Sequence, residues 1–580
     1  MTSTLARRLL LVLFALLPLI TLFHKNDLDR WDVARSAMAA PDEFSYLLLA
    51  DSLLHGHGVH LQQTIGRDAF YPPGYPALLA AFSAPLGGLT LFRAHLLNAL
   101  LLCACVPAAY FLAKELLRRL PSPHPRYARP PAALPWLALL CAAAFAVNWH
   151  VLEGALFIFS EPAFTLTTLA WLLLALRWED WPASPLKTFP IAALAMLAYT
   201  IRGAGLVCVA ATVAYPFLLL LIHRTHLRNR LLSLLLILAL AAAAKYITRY
   251  TDNAPNSYPQ QLVNGLTHGH QLSFSHPADY PKIALRTADL AASHLDDFAQ
   301  SFTPIPRVEP DLAPLTFIGK TFALLALTTW LITLLGLRPS PHSALSTQHP
   351  ALLFVNLYLA FYIALYLLWP FNMPRFWTPI LPLMLPYALH SARTLASAAA
   401  PFTQRFSRFA PAALLTLLFV LNAQELYRQL PAYQRRLNYV SDALAGAANT
   451  IAKRSPDPTS TFLCVGGLDE HFIFSWYLRT ARIVPRSPEP RERIESLIAR
   501  TAADAQETPG SKIFIASYFD EYLFQQVFAN LRRDNPALMA RYTPARIYQK
   551  GIEATLWEFR PTPPAPPSPS THAQNLPTPD

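Results

Sequence analysis

Charge is what this chain has least of. Of its 580 residues only 14% are charged, against roughly 25% in a soluble domain. That deficit excludes a disordered chain and a coiled-coil rod, and it argues against an ordinary soluble enzyme. Glycine is sparse at 18, which excludes a collagen-like repeat. No internal repeat of any period is visible. Cysteine is scarce as well. Cys103, Cys105, Cys141 and Cys208 lie inside apolar blocks, and Cys464 stands apart. None makes a disulfide-like pair or a metal-ligand spacing, so they read as buried structural thiols.

What is present is apolar residues, 53% of the chain, and 53 prolines. The apolar residues come in blocks near the roughly 20 residues that cross a bilayer. The net charge of +12 does not indicate nucleic acid, because its excess sits in short loops between those blocks. The pattern predicts a polytopic α-helical membrane protein of about eleven spans with a small C-terminal α/β domain outside the membrane.

The expected spans are 9–23, 89–113, 133–150, 162–177, 188–202, 204–222, 231–247, 314–337, 351–369, 376–392 and 409–425. Arg7 and Arg8 precede the first. The small-residue site Ala37-Met38-Ala39 lies too far beyond it for a usual signal cleavage, so an uncleaved first span is expected. The positive-inside rule puts the N-terminus in the cytoplasm. Inner loops then carry Lys114, Arg118, Arg119, Arg126 and Arg129, then Arg224, Arg228 and Arg230, then Arg393, Arg405 and Arg408. The long outer loops 24–88 and 248–313 are richer in Asp and Glu than in Lys and Arg. Residues 188–222 read as two short spans meeting near the outer face at Arg202-Gly203.

The domain division expected is 1–425 for the membrane part, 440–560 for the outer α/β domain and 561–580 for a Pro-rich disordered tail. Within the outer domain, 460–467 reads as a strand and turn, 471–478 as a helix and 512–516 as a strand. Residues 520–533 read as an amphipathic helix and 554–559 as a closing strand.

The chemistry-bearing segment of the first outer loop is Pro41-Asp42-Glu43-Phe44-Ser45-Tyr46. Phe44, Leu47, Leu48 and Asp51 follow helical spacing, and Gly56 is placed to end the helix. One reading is local: Pro41 opens the helix and the two acids offset its positive end. The other is chemical: a carboxylate beside an amphipathic helix at the membrane face can take a proton from an acceptor hydroxyl. Then comes Phe70-Tyr71-Pro72-Pro73-Gly74-Tyr75-Pro76, a rigid turn leading to another apolar helix. Arg202 is a charge inside an apolar stretch, which is costly and by default functional. Arg375 stands among Trp369, Phe371, Phe376 and Trp377, where an interfacial anchor is equally natural. Lys245 could snorkel outward. Glu161, before Pro162, is either a helix-start residue or a second carboxylate of a site. His55, His57 and His60, and His268, His270 and His276, lack Cys or carboxylate partners at ligand spacing, so no metal residue is assigned.

These motifs, taken in order, resemble one family. "PDE..Y...A..L..G" at 41–56 and "PPGYP.LLA" at 72–80 look like the GT-C membrane glycosyltransferases. The nearest branch holds protein mannosyltransferases and the lipid A aminoarabinose and galacturonosyl transferases. Ser160-Glu161-Pro162 resembles that branch's "SEP". Tyr199-Thr200-Ile201-Arg202-Gly203-Ala204-Gly205 resembles "LTRPTGL", departing at Gly203 and Ala204. Arg375-Phe376 with Pro379 and Pro382 resembles "RY..P..P".

The resemblance spans roughly 1–425. It implies an inverting glycosyltransferase of the inner membrane, with a polyprenyl-phosphate sugar donor and a lipid, glycan or protein acceptor on the outer face. It also implies Asp42 as the base, with Glu43 orienting it or touching the acceptor. Tyr46 and Glu161 are further site candidates. Arg202, Arg375 and Lys245 are the candidates to bind the departing phosphate, a role that suits Arg through its bidentate fork. No cofactor is required by the resemblance. A divalent metal stays open, since some members use one and the mannosyltransferase branch is not expected to. The alternative class is a transporter or flippase for a lipid-linked sugar.

Overall fold

The fold was analysed in a computed structural model. It describes residues 2–23, 41–59, 71–120, 133–222, 226–249, 258–267, 271–303, 313–335, 350–398, 406–457, 460–465, 478, 482–484, 493–506, 508, 510–517, 521–550 and 554–562. The chain divides into two compact units, one of residues up to Asn438 and the other from Tyr439 onward.

The first unit is helical. In chain order its helices are α1 (Thr2–Leu16, carried on by turns to Phe23), α2 (Pro41–Leu54), α3 (Gly74–Ser83), α4 (Leu91–Arg119), α5 (Leu134–Ala146), α6 (Trp149–Leu156), α7 (Glu161–Arg177) and α8 (Pro185–Ile201). There follow α9 (Leu206–Ile222), α10 (Leu227–Thr248), α11 (Tyr258–Leu266), α12 (Tyr280–Phe302), α13 (Ala313–Leu334), α14 (Pro350–Leu367) and α15 (Leu381–Ala398). The last, α16 (Phe406–Arg454), runs into the second unit.

Among the described residues, each of the eleven expected spans overlaps helical segments. Among the described residues, five helices are individually long and apolar enough to cross a membrane, or six if one bent pair counts as a span. That pair is α5 and α6, which meet at 51°. The sequence pattern read 133–150 as one straight span; the break at Val147-Asn148 is the difference. Asn148 takes extended backbone and its side chain accepts from the Val151 N–H at 3.2 Å, so it caps a new helix rather than continuing the old one.

A second difference concerns α2. One of its two readings was an amphipathic helix lying in the interface. Instead Glu43, Phe44, Ser45, Tyr46, Leu47, Leu49 and Ala50 are all buried. Leu48, Asp51, Leu53 and Leu54 are half-buried, so most of the helix packs against its neighbours and one side is less covered.

The second unit holds β1 (Thr461–Val465), β2 (Arg482–Val484), α17 (Ile494–Gln506), β3 (Lys512–Ser517), α18 (Glu521–Asp534), α19 (Pro536–Arg541), β4 (Tyr542–Lys550) and β5 (Ala554–Pro561). The sheet order is β2-β1-β3-β5-β4, with the first three strands parallel and the last two antiparallel. Phe462, Cys464, Ile513 and Ile515 pack on α17 and α18 through Leu497, Ile498, Val527 and Leu531. Leu463 and Phe514, on the opposite face, are also fully buried. Strands covered on both sides read as short continuous apolar runs. β1, β3 and β5 occupy the expected strand positions, and α18 the expected amphipathic helix. The helix expected over 471–478 and nearly all of the tail from 561 lie outside the described residues. The sequence reading missed β4, whose Pro544 and scattered polar residues hide it. As an edge strand it tolerates proline.

Candidate active site

The site is organised by the turn between α6 and α7. Asn98, fully buried on α4, has its Nδ2 3.0 Å from each of the carbonyls of Gly154, Phe157 and Phe159, which share its two N–H donors. Its Oδ1 accepts from the Tyr75 hydroxyl at 2.8 Å, which ties in α3. Glu43 Oε1 accepts from the Ile158 N–H at 2.8 Å, which ties in α2. Buried backbone groups need partners, and here α4 and α2 supply them to Phe157, Ile158 and Phe159 of the turn and to Gly154 before it. Pro162 then opens α7, with Glu161 in its first turn against the positive end of the helix dipole.

Arg202 arrives from the break between α8 and α9. The break is enforced by close approach: a Cβ on Gly205 would lie 2.3 Å from the Ala198 carbonyl. Arg202 leaves the helix in extended backbone, φ −151° and ψ 138°. Arg375 arrives from a 3₁₀ segment, Pro374–Ile380, that precedes α15. The loop before it is anchored by α12. His294 Nε2 lies 2.6 Å from the Trp369 carbonyl, and Asn372 donates to the Ser293 hydroxyl. Tyr362 OH donates to the Phe376 carbonyl at 2.5 Å.

The two guanidiniums meet on one carboxylate. Arg202 Nη1 is 2.8 Å from Glu161 Oε2, and Arg375 Nε is 3.6 Å from Glu161 Oε1. The three side chains are only 14%, 13% and 8% exposed. Arg202 also donates to Ser160 Oγ at 3.2 Å, and Tyr46 OH lies 3.1 Å from the same oxygen. Arg375 stacks over Phe159 at 3.8 Å, and both arginines face the Phe376 ring. Two cations thus face one carboxylate in a poorly hydrated place. That arrangement suits an anion with several oxygens, which both forks can address.

Of the residues singled out from sequence, Tyr46, Glu161, Arg202 and Arg375 therefore converge, and Glu43 braces the turn beside them. Asp42 is the second residue of α2, and its side chain lies outside the described residues. Lys245 is exposed in the last turn of α10 and is not one of the cations that meet Glu161. The sequence reading missed Asn98, Phe159 and Ser160 as a separate contact. Asn98 carried a signal, a polar amide within an apolar span. Among the described residues no group of three His, Cys, Asp or Glu could hold a metal ion.

The fold of this chain is shared with known solved structures. Two solved structures carry it. One is the archaeal oligosaccharyltransferase AglB from Archaeoglobus fulgidus, in complex with an inhibitory peptide and a dolichol-phosphate. It is 11% identical over 97% of this chain and 75% of its own, with a TM-score of 0.54. The other is ArnT from Cupriavidus metallidurans bound to undecaprenyl phosphate, 14% identical over 94% of this chain and 97% of its own, with a TM-score of 0.51. At such identities the likeness is one of fold. The sequence matches no known family profile and no curated protein.

Proposed function

We propose that this protein is a multi-pass inner-membrane glycosyltransferase. It moves a sugar from a polyprenyl-phosphate donor to an acceptor hydroxyl on the outer face, with inversion. The observation that carries the reading is the buried Arg202–Glu161–Arg375 cluster, tied through Ser160 and Tyr46 to the helix that carries Asp42. Support comes also from the two fold neighbours, whose structures hold dolichol-phosphate and undecaprenyl phosphate.

In this reading Asp42 takes the proton of the acceptor hydroxyl as its oxygen attacks the anomeric carbon. The bond from that carbon to the phosphate oxygen breaks, and its electron pair leaves with the lipid phosphate. A phosphate is a good leaving group, so the site needs a base and cations rather than a strong acid. Arg202 and Arg375 supply the cations. Glu43 serves the base indirectly, by fixing α2 against the α6–α7 turn. The N-terminus is cytoplasmic and the C-terminal unit is outside.

The test is Asp42→Asn in purified protein supplied with a polyprenyl-phosphate sugar. Asn keeps the size and the helix start, so the local reading expects little change. The base reading expects a rate loss of about 10²–10⁴-fold. Normal turnover would reject Asp42 as base. Movement of the lipid-linked sugar across vesicles without any transfer would favour the transporter instead.

A further inference from the structure

Arg375 owes its place to a loop that contributes little to its own stability. Helix α14 ends at Leu367, and Pro370 and Pro374 keep the chain that follows from continuing it. Phe371 and Met373 are 49% and 41% exposed, so the loop buries little of its own surface. Segments of that kind open at small cost. Yet this loop leads straight into Arg375, whose guanidinium faces Glu161 and stacks 3.8 Å over Phe159. A group that binds or reacts has to be placed to within about 1 Å.

Holds on the loop come from α11 and α12, the two helices between α10 and α13. Gly265 on α11 lies against Pro370. A Cβ there would sit 2.3 Å from the Pro370 Cβ and 3.2 Å from its Cα. The proline ring is rigid and cannot swing aside, so this approach needs glycine. His294 on α12 is fully buried, and its Nε2 is the atom that meets the Trp369 carbonyl at 2.6 Å. A carbonyl only accepts, so His294 carries a proton on Nε2 and donates it. The neighbouring Ser293 hydroxyl accepts from the Asn372 amide. One turn further along α12, Phe298 packs on Trp377 with ring centroids 5.0 Å apart. The same helix therefore seats the chain on both sides of Arg375.

We propose, on the reading that Arg375 holds the donor phosphate, that α11 and α12 form a clamp that places its guanidinium, with His294 and Gly265 as positioning residues for donor binding. His294 fixes the backbone at Trp369 by a hydrogen bond. Gly265 fixes it one residue later by close contact. Both act on the donor only through Arg375, so their effect vanishes once Arg375 is removed. Residues that instead brace the fold at large would keep their effect.

The test is a double-mutant cycle on the full-length protein in detergent, titrated with a polyprenyl phosphate. Thermal unfolding first establishes that each variant is folded. His294→Phe keeps a ring and removes the donor. It should weaken binding by about three- to tenfold, the equivalent of one lost hydrogen bond. His294→Gln, whose amide nitrogen can reach the same carbonyl, should recover most of that loss. Gly265→Ala should weaken binding over a similar range, because the loop has to shift to admit the methyl group. Combined with Arg375→Ala, each should add nothing to the loss that Arg375→Ala causes alone. Wild-type binding in either single variant, with Arg375→Ala impaired, overturns the clamp and leaves the donor reading standing. Losses that multiply in the double variants overturn it as well. If His294→Phe does not fold, Gly265→Ala decides by the same cycle. Wild-type binding in Arg375→Ala refutes the donor reading itself, and the clamp's role falls with it.

Discussion

Replacing Gly74 with Ala should damage the candidate active site from a residue that never touches it. A Cβ at position 74 would lie 2.7 Å from the carbonyl carbon and oxygen of Thr200 and 2.8 Å from the Ile201 nitrogen. These are backbone atoms and cannot swing aside as a side-chain tip can. Ordinary carbon contacts begin near ~3.4 Å, so α3 and the end of α8 must separate by roughly 0.6–0.7 Å. The next residue along is Arg202, whose 2.8 Å contact with Glu161 depends on where that helix ends. Overpacking of this kind costs about 1–3 kcal/mol, partly offset by up to ~1 kcal/mol because Ala favours the helix over Gly. The protein should therefore stay folded with a modestly lower unfolding temperature. A misplacement near 1 Å at a reacting group can cost about 100-fold in rate, so transfer should fall by roughly 10- to 100-fold. The assay pairs thermal unfolding in detergent with transfer rates at matched folded protein. Wild-type transfer in a folded Gly74→Ala protein would refute the link between this contact and Arg202. A rate loss that tracks the unfolded fraction would refute it too.

Three further outcomes are expected. Asn98→Leu should destabilise the protein by about 1–3 kcal/mol, the cost of buried groups left without partners, because carbonyls of the α6–α7 turn lose their donor. Tyr75→Phe, which removes one hydroxyl from the same network, should cost about 0.5–1.5 kcal/mol, and equal effects of the two in an unfolding titration would contradict the Asn98-centred turn. For topology, a cysteine placed at Ser257 should react with a membrane-impermeant reagent added from outside, and one at Ser122 should not. The native cysteines leave little background, since Cys105, Cys141, Cys208 and Cys464 are buried and Cys103 is partly so. The opposite labelling pattern would invert the membrane orientation and remove the outer-face chemistry.

The sequence made the helical blocks legible because a bilayer imposes a length and an apolarity that composition alone records. It also marked Arg202 and Glu161, because charge within apolar surroundings is costly and stands out against them. It could not show the α5–α6 bend. Asn148 is a cap only because its Oδ1 finds the Val151 N–H and its amide reaches the Ser301 carbonyl at 2.8 Å, on a helix far along the chain. It left two readings of α2 open for a similar reason. Whether a helix with apolar residues on several faces lies in an interface or inside a bundle depends on what packs against it, and no local pattern encodes that.

By itself, then, the sequence determined the membrane class, the order of the helices, and which side chains were expensive enough to need a purpose. Each of these follows from transfer cost along the chain, a local property. The tertiary structure decided which of those side chains meet. Glu161, Arg202 and Arg375 come from three separate segments, and Lys245, a further candidate by sequence, is exposed in the last turn of α10. Their convergence depends on Asn98 holding the turn, on Gly74 and Gly205 allowing backbones to touch, and on His294 fixing the loop before Arg375. Those are contacts between residues distant in sequence. Their energy exists only once the chain has closed around them, so no reading of neighbours along the chain contains it.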